Sequence, residues 1–148
     1  MADLTFDGTA HTVALTDRTG KVIGTWHANN RTAYDAKLRF IPNGTYRVQD
    51  SRTPNLHGTH PSVNGPYGTQ GIVRFGVPGH DGVGIHAGRQ TLPDRTSQHG
   101  SGPDHVTYGC VRTTEEAMRA IANTMRGDPL TTIRVINNHN QMVTPRRQ

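Results

Sequence analysis

The chain has one cysteine, Cys110, and its neighbours suit a nucleophile. It lies in the segment 107–112, Thr-Tyr-Gly-Cys-Val-Arg, directly ahead of a predicted helix start. A lone cysteine can form neither an intrachain disulfide nor a thiol-rich metal site, and free cysteines are commonly small buried residues. The thiolate is the reactive form, and a helix N-terminus with nearby cations favours it. An activated thiol is therefore an interpretation to weigh against simple burial.

A cysteine nucleophile needs a base, and His86 is the strongest candidate among nine histidines. It follows the apolar run 83–85, Val-Gly-Ile, and precedes Ala87 and Gly88. A side chain at the end of a short buried strand is held rigidly, as a base must be to reach a thiol. A buried structural histidine is the alternative. No adjacent Ser or Asp marks an orienting group, so we expect a backbone carbonyl to fix the tautomer.

The elements that would position these residues are mostly strands. Alternating apolar residues predict strands at 11–17, 21–27, 45–49, 72–75, 83–85 and 131–137, the first two forming a hairpin. One main helix is predicted near 114–126, begun by a capping box of Thr113 and Glu116. Its apolar face comprises Ala117, Met118, Ile121, Ala122 and Met125. The predicted fold is mainly β, in a single domain over 1–148 with a flexible C-terminal tail.

Two long irregular segments, 51–71 and 88–105, are rich in Gly, Pro and polar residues. Loops of this length in a compact domain are usually functional. Both adjoin strands assigned to the site, so we expect them to flank the active cleft and to move as lids. Tyr67 in the first segment is expected to supply a substrate contact.

Charge and composition limit the partners. The net charge is +5 and the pI is near 10, which suits an anionic partner such as a nucleic acid, a membrane surface or an acidic wall polymer. The sequence has no run of five basic residues and no interleaving of aromatic and basic residues. Nucleic-acid binding is therefore not favoured. No segment approaches the roughly 20 apolar residues of a membrane span. No apolar stretch follows Met1, so no secretory signal peptide is predicted.

The segment 85–88, Ile-His-Ala-Gly, followed by the Cys110 segment 107–112, resembles the signature of YkuD-type L,D-transpeptidase catalytic domains. Segments 17–26 and 41–46 are similar to that family's opening hairpin and its P-x-G-x-Y turn, and the likeness spans about residues 4–137. The resemblance implies a YkuD-like β-sandwich or barrel-like fold. It also implies attack on peptidoglycan tetrapeptide stems at an L-to-D bond beside meso-diaminopimelate. An acyl-enzyme would then pass to an amine (transpeptidation) or to water (L,D-carboxypeptidation), without a cofactor.

The resemblance also implies roles residue by residue. Cys110 would be the nucleophile and His86 the base that later protonates the leaving group. The amides around Gly109 and Cys110 would form an oxyanion hole. Arg112 would hold a carboxylate or brace the loop, and Thr107 would orient the loop.

Two features depart from the family pattern. Tyr108 stands where the family usually has His, which would remove one buried hydrogen-bonding group. The spacer between His86 and Thr107 is a few residues longer than usual. The extra length falls within 88–105 and predicts an enlarged lid, so substrate range and rate are affected more than the chemistry.

Three other interpretations stay open. Zinc hydrolysis would use some of His80, Asp81, His86, His99 and His105, without an H-E-x-x-H or paired-Cys spacing to support it. A non-catalytic peptidoglycan-binding module would hold Cys110 as an inert buried thiol, which iodoacetamide would alkylate slowly. A peptidase of the NlpC/P60 kind would place its Cys before its His, the reverse of the order here.

A peptidoglycan enzyme acts outside the cytoplasm, so the predicted lack of a leader bears on biology. Either the sequence is a mature fragment, or the protein is injected into a neighbouring cell. The small single domain is similar to type VI-secreted L,D-transpeptidase effectors, which implies a toxin exported by a non-Sec route and active in a target cell's periplasm. A cognate immunity protein and a secretion-machine component are then the expected partners. A housekeeping cross-linking enzyme is the alternative.

Overall fold

The computed structural model describes residues 1–91 and 101–139. Within these residues the chain forms eight strands, one α-helix and one turn of 3-10 helix at Gly102–Asp104. The strands are β1 (Ala2–Asp7), β2 (Thr12–Thr16), β3 (Val22–Asn29), β4 (Gly44–Arg47), β5 (Val73–Arg74), β6 (Gly84–His86), β7 (Val111–Thr113) and β8 (Leu130–Ile136); the helix is α1 (Glu115–Met125). His99, the middle of the second predicted lid and the predicted flexible tail beyond residue 139 lie outside the described residues.

The strands form one curled sheet in the order β4-β8-β1-β2-β3-β7-β6-β5. The β1–β8 and β6–β7 pairs are parallel, and the other neighbours are antiparallel. An antiparallel bridge between Val48 and Phe75 joins the chain just beyond the two edge strands, so the sheet curls toward closure. The predicted mainly-β, barrel-like architecture is confirmed.

Alternation of apolar and polar residues explains the central strands. Val13 and Leu15 of β2 are fully buried, and Leu4 and Phe6 of β1 pack beside them. Side chains alternate between the two faces of a strand, so β1 and β2 each direct one set of side chains into the core. The predicted β2–β3 hairpin is confirmed. Strand β1 was not predicted, although its buried residues Ala2, Leu4 and Phe6 alternate with polar residues as in a half-buried strand.

Helix α1 closes one side of the core with the predicted apolar face, which is buried throughout. Its N-cap is Thr114, whose hydroxyl oxygen accepts a hydrogen bond from the Ala117 amide at 3.0 Å. The predicted capping box at Thr113 is therefore wrong by one residue. Thr113 ends β7 instead, and its hydroxyl donates to the His27 carbonyl at 2.7 Å. No helix among residues 1–91 and 101–139 is long and apolar enough to cross a bilayer.

Strand β7 changes the setting predicted for Cys110. The strand occupies Val111–Thr113, between β3 and β6, and it separates the cysteine from the first residue of α1. Three residues are too few for alternation to reveal a strand in the sequence. Cys110 consequently does not sit at a helix N-terminus, and the expectation that a helix dipole favours its thiolate is wrong, since that effect fades within the first turn.

Candidate active site

Parallel pairing of β6 and β7 brings the predicted nucleophile and base together. Ile85 pairs with Val111, and His86 pairs with Arg112. Ile85 and Val111 are fully buried in the hydrophobic core. Side chains alternate between faces, so His86 and Arg112 project from the other face. Cys110 directly precedes β7 and lies beside the residues that lead into β6.

His86 is buried and oriented by its own backbone. Its Nδ1 lies 2.6 Å from the Ala87 carbonyl oxygen, so Nδ1–H donates there and Nε2 remains the nitrogen that can accept a proton. This carbonyl is the orienting group expected in place of a neighbouring Ser or Asp. Burial lowers the pKa of His86 to about 3, and the charges of Arg112 and Arg89 act in the same direction. The imidazole is therefore neutral at physiological pH.

Cys110 is half-buried, and its thiol is directed toward the backbone that leads into β6. The sulfur lies 3.8 Å from the Gly82 carbonyl oxygen. Burial raises the pKa of the Cys110 thiol, while a backbone hydrogen bond from Gly84 and the charge of Arg112 oppose that rise. The pair is thus a neutral thiol and a neutral imidazole. Activation must come from proton transfer to a base during attack, because a preformed thiolate is disfavoured.

The turn before the cysteine is stabilised by Thr107. Its hydroxyl donates to the Cys110 carbonyl at 2.8 Å and accepts from the Gly109 amide at 3.2 Å. Gly109 has φ +137°, and a Cβ there would lie 3.4 Å from Leu38 Cβ, so the position favours glycine. Because the Gly109 amide already donates inside the turn, its expected place in an oxyanion hole conflicts with this conformation. The role of the Cys110 amide stays a prediction.

A buried asparagine that the sequence did not identify holds the same turn from behind. Asn30 is fully buried, and its Nδ2 donates to the carbonyls of Gly109 at 2.9 Å and Cys110 at 3.0 Å. Its Oδ1 accepts from the Ile41 amide at 2.8 Å and from Asn138 Nδ2 at 3.0 Å. Both donors and both lone pairs of the amide are thereby used. The only sequence signal was a polar residue after β3, and nothing linked it to residue 138.

Arg112 braces two loops across the site. Its Nη1 donates to the carbonyls of Val106 at 3.0 Å and His105 at 3.3 Å, and to His105 Nδ1 at 2.9 Å. Its Nη2 reaches the Pro66 carbonyl at 3.5 Å. The guanidinium fork thus ties the first irregular segment to the chain before the turn. Of the two roles expected for Arg112, these contacts correspond to bracing.

The first irregular segment contacts the predicted base, and its expected movement as a lid stays a prediction. The Tyr67 ring meets the His86 ring edge-on, with centroids 4.9 Å apart. Burial and the proximity of Cys110 raise the pKa of Tyr67, so its hydroxyl stays protonated. Glu115 at the start of α1 accepts from the Thr69 amide at 3.0 Å and from its hydroxyl. Gly68 has φ +67°, and a Cβ there would lie 2.0 Å from Glu115 Oε1, so this docking requires glycine.

A cleft of about 500 Å³ opens beside the turn. We call it the charged cleft and define it by Asp35, Lys37, Leu38, His80, Asp81 and Tyr108. Val83 also lines it, directly after the residue whose carbonyl meets Cys110 Sγ. The side chain of Tyr108 is 74% exposed at the cleft, so it supplies no buried hydrogen-bonding group at this position.

The residues named for a zinc site are not assembled around one point. Within residues 1–91 and 101–139, no three His, Cys, Asp or Glu side chains are grouped closely enough to hold a metal ion. His105 instead contacts Arg112, and His80 lies in the charged cleft. His99 falls outside the described residues.

Comparisons with known proteins agree with the fold described above. A sequence model of the YkuD family, described as the L,D-transpeptidase catalytic domain, matches residues 3–136. An L,D-transpeptidase structure from Stackebrandtia nassauensis aligns with TM-score 0.55 and 15% identity over 95% of this chain, and one from Mycobacterium smegmatis with 0.52 and 19% over 90%. These alignments cover only 57% and 58% of those two chains. No curated protein sequence matches significantly.

Proposed function

The chain belongs to the YkuD family of L,D-transpeptidase catalytic domains, and on that premise we propose that it acts on peptidoglycan stem peptides through an acyl-enzyme on Cys110. The observation that supports the proposal is the parallel pairing of β6, which ends at His86, with β7, which begins directly after Cys110. Nucleophile and base must be held within reach of each other for acyl transfer. Rigid strands provide that constraint better than loops do.

Acylation begins from the neutral Cys110 thiol and the neutral His86 imidazole. Cys110 Sγ attacks the carbonyl carbon of the third stem residue while its proton passes to His86 Nε2. The tetrahedral intermediate then collapses, the C–N bond to the terminal D-residue breaks, and His86 returns the proton to the leaving amine. The product is a thioester on Cys110. The Tyr67 edge against the imidazole limits ring rotation, so the same nitrogen serves both proton transfers.

Deacylation reverses the roles with a new nucleophile. An amine of another stem attacks the thioester carbonyl, His86 Nε2 takes its proton, and the C–S bond breaks to regenerate the thiol. This is transpeptidation. Water attacking in the same way gives L,D-carboxypeptidation, which we propose as a second outcome of the same site. The balance depends on how well water is excluded when the acceptor is absent.

Mass spectrometry of muropeptides tests this function. Purified tetrapeptide muropeptides are incubated with the wild-type protein or with the Cys110→Ala variant. The masses of the products and of the intact protein are then measured. Cross-linked dimers indicate transpeptidation, and tripeptides indicate carboxypeptidation, each with an adduct on Cys110. A wild-type protein that neither changes the muropeptides nor gains mass would refute the proposal. If iodoacetamide also alkylated Cys110 only slowly, that result would favour the non-catalytic peptidoglycan-binding module.

We further propose that the enzyme is a secreted antibacterial effector, exported by a non-Sec route and active in the periplasm of a target cell. The support is the resemblance stated in the sequence analysis, together with a net charge of +5 that favours approach to an anionic wall. A cognate immunity protein and a secretion-machine component complete the proposal. When a signal peptide directs the protein to the periplasm of a Gram-negative host, lysis or growth arrest is expected, but cytoplasmic expression should be tolerated. Equal tolerance, with ordinary cross-links, would indicate a housekeeping enzyme.

A further inference from the structure

One hydrogen bond that holds Arg112 depends on the protonation state of its acceptor. Arg112 Nη1 lies 2.9 Å from His105 Nδ1 and 3.0 Å from the Val106 carbonyl oxygen. His105 Nδ1 itself lies 3.0 Å from the same Val106 oxygen. A guanidinium carries only donors and stays protonated in proteins. The contact between Arg112 and His105 is therefore a hydrogen bond only while His105 Nδ1 carries no proton.

A proton on His105 Nδ1 would reverse this arrangement. The ring would lose the lone pair that accepts from Arg112, and two positive charges would then face each other across the same short distance. The new N–H would lie within hydrogen-bond distance of the Val106 oxygen, to which Arg112 Nη1 now donates. The imidazolium would thus take the place of the guanidinium at that carbonyl. Both effects release Arg112 from residues 105–106.

The elements packed around His105 carry more positive than negative charge. Among the described residues their charged and titratable groups are those of His27, Arg31, Tyr67, Arg89, Asp104 and Arg112. Asp104 is the carboxylate of this group. Its Oδ1 lies 2.8 Å from His27 Nε2 and 2.7 Å from Asn29 Nδ2, so its charge is directed toward β3. Protonation of His27 would strengthen that pair, which is the opposite of the effect expected at His105.

The hydrogen bonds of Arg112 lie next to the reacting groups. They tie residues 105–106, which lead into the Cys110 turn, to the carbonyl of Pro66. The next residue, Tyr67, meets the His86 ring edge-on. Release of Arg112 would therefore loosen the chain ahead of the nucleophile and the contact that orients the base. A small displacement of either reacting atom lowers the rate of acyl transfer.

We propose that His105 is a pH-sensing positioning residue, which holds Arg112 in its neutral form and releases it when protonated, so that acylation slows as the pH falls. This inference rests on the function proposed above. The catalytic pair gives no such response in the range in which histidines usually change charge, about pH 4.5–8. Burial places the pKa of His86 at about 3 and raises the pKa of the Cys110 thiol, so both groups stay neutral across that range.

Nitrogen-15 NMR of the histidine rings tests the hydrogen bond without any reaction. Long-range spectra of the labelled protein distinguish a protonated from an unprotonated ring nitrogen, and the His105→Asn variant assigns the signals. At about pH 8 we expect His105 to carry its proton on Nε2 and none on Nδ1, and to gain the second proton by about pH 4.5. A protonated Nδ1 at the higher pH, or no titration in this range, would overturn the proposal.

Two variants connect this proton to the rate. His105→Asn places an oxygen where Nδ1 lies and keeps an acceptor for Arg112 that does not titrate, whereas His105→Ala removes the acceptor. Formation of the acyl-enzyme from a tetrapeptide donor is followed by intact-protein mass at each pH. The wild type should react about tenfold more slowly at the low end of the range, because it loses a hydrogen bond to a charged group. The Asn variant should keep the faster rate throughout, and the Ala variant the slower one.

Two controls identify the histidine that responds. His139→Asn removes an exposed histidine outside the site, and His27→Gln keeps a donor toward Asp104 that does not titrate. Both should retain the wild-type pH response, and ratios of rates at each pH cancel any titration of the donor peptide. A flat response in His27→Gln would assign the effect to the Asp104 pair.

A wild-type response in His105→Asn would likewise overturn the proposal, while the acylation itself would leave the proposed function intact. In a protein that behaves as expected, the midpoint of the rate change coincides with the midpoint of the His105 titration by NMR. If the wild type forms no acyl-enzyme at any pH, the proposed function fails. The nitrogen spectra alone then decide whether His105 releases Arg112.

Discussion

Behind the Cys110 turn, buried amides hold the backbone through short hydrogen bonds, whereas in front of it exposed charged side chains line an open cleft. Asn30 and Thr107 fix the carbonyls of the turn, and the donors and acceptors of Asn30 are all used. Asp35 and Asp81 line the charged cleft and have no hydrogen-bond or ion-pair partner among the described residues. A small displacement of a reacting atom can cost about 10²-fold in rate, while an exposed ion pair is worth about 1 kcal/mol or less. A change behind the turn should therefore alter the rate of the reaction more than a change in the cleft does.

The most direct test removes Cys110 Sγ, the reacting atom between the two regions. Cys110→Ala should abolish the covalent adduct with a tetrapeptide or a carbapenem, because no other cysteine is present. The fold should survive, since the side chain is half-buried and the hydrogen bonds of the turn run through its backbone. Intact-protein mass and circular dichroism measure the two effects. A covalent adduct on the Ala variant would exclude Cys110 as the nucleophile.

Removing the base should have the next largest effect. His86→Ala should slow acylation by roughly 10²–10⁴-fold, the usual contribution of general-base catalysis. His139→Ala is the matched control, because this histidine is exposed and lies outside the site. Single-turnover acylation rates give the comparison. A loss of equal size in His105→Ala or His99→Ala would mean that His86 is not the base.

The back of the turn is tested at Asn30. Asn30→Ala leaves buried groups of the turn and of Ile41 without a partner, at about 1–3 kcal/mol for each unpaired group. Asn30→Asp keeps the volume but opposes oxygen to two carbonyl oxygens, so a similar loss is expected. Urea denaturation measures the stability, and single-turnover acylation measures the rate, which should fall. A normal acylation rate in folded Asn30→Ala protein would show that the hydrogen bonds behind the turn do not position Cys110.

The residues of the site differ in how far they could be predicted from the sequence. Cys110 and His86 were predicted because a lone cysteine in a Gly-containing turn and a histidine after an apolar run are local patterns. Asn30 was missed because its partners lie about 80 and 108 residues away along the chain. Strand β7 was missed because three residues show no periodicity. The charged cleft joins residues near 35, 80 and 108, so it exists only once the chain has folded.

The burial of His86 predicts a pH dependence of stability. His86 has a folded-state pKa of about 3 against 6.5 when unperturbed, because burial disfavours its charged form. Between pH 6.5 and 3 the unfolded chain binds a proton at this position that the folded chain does not, so the free energy of unfolding falls as the pH falls. The shift corresponds to a few kcal/mol over that window. His86→Gln should flatten the dependence, measured by denaturant titration at several pH values. Parallel curves for both proteins would mean that His86 is hydrated.

The smallest expected effect concerns the two irregular segments, 51–71 and 88–105, whose described parts contact each other. The Gln90 amide donates to the Val63 carbonyl at 3.0 Å, and the Thr91 amide donates to Asn64 Oδ1 at 2.9 Å. Both segments should therefore show slowed hydrogen exchange together when a substrate analogue binds. The effect should be weakest at 66–70, which Glu115 and Arg112 already hold in the unliganded protein.

A variant separates closing of a lid from simple covering by the ligand. Glu115→Gln weakens the acceptor for the Thr69 amide and hydroxyl, so exchange at 66–70 should rise by severalfold in the unliganded protein and fall again on binding. Glu116→Gln, one residue along the helix and exposed, should leave exchange there unchanged. Slowing confined to one segment would mean that the contacts through Val63 and Asn64 do not couple the two. No change in either would place both segments away from the substrate, leaving the fixed turn and the charged cleft to hold it alone.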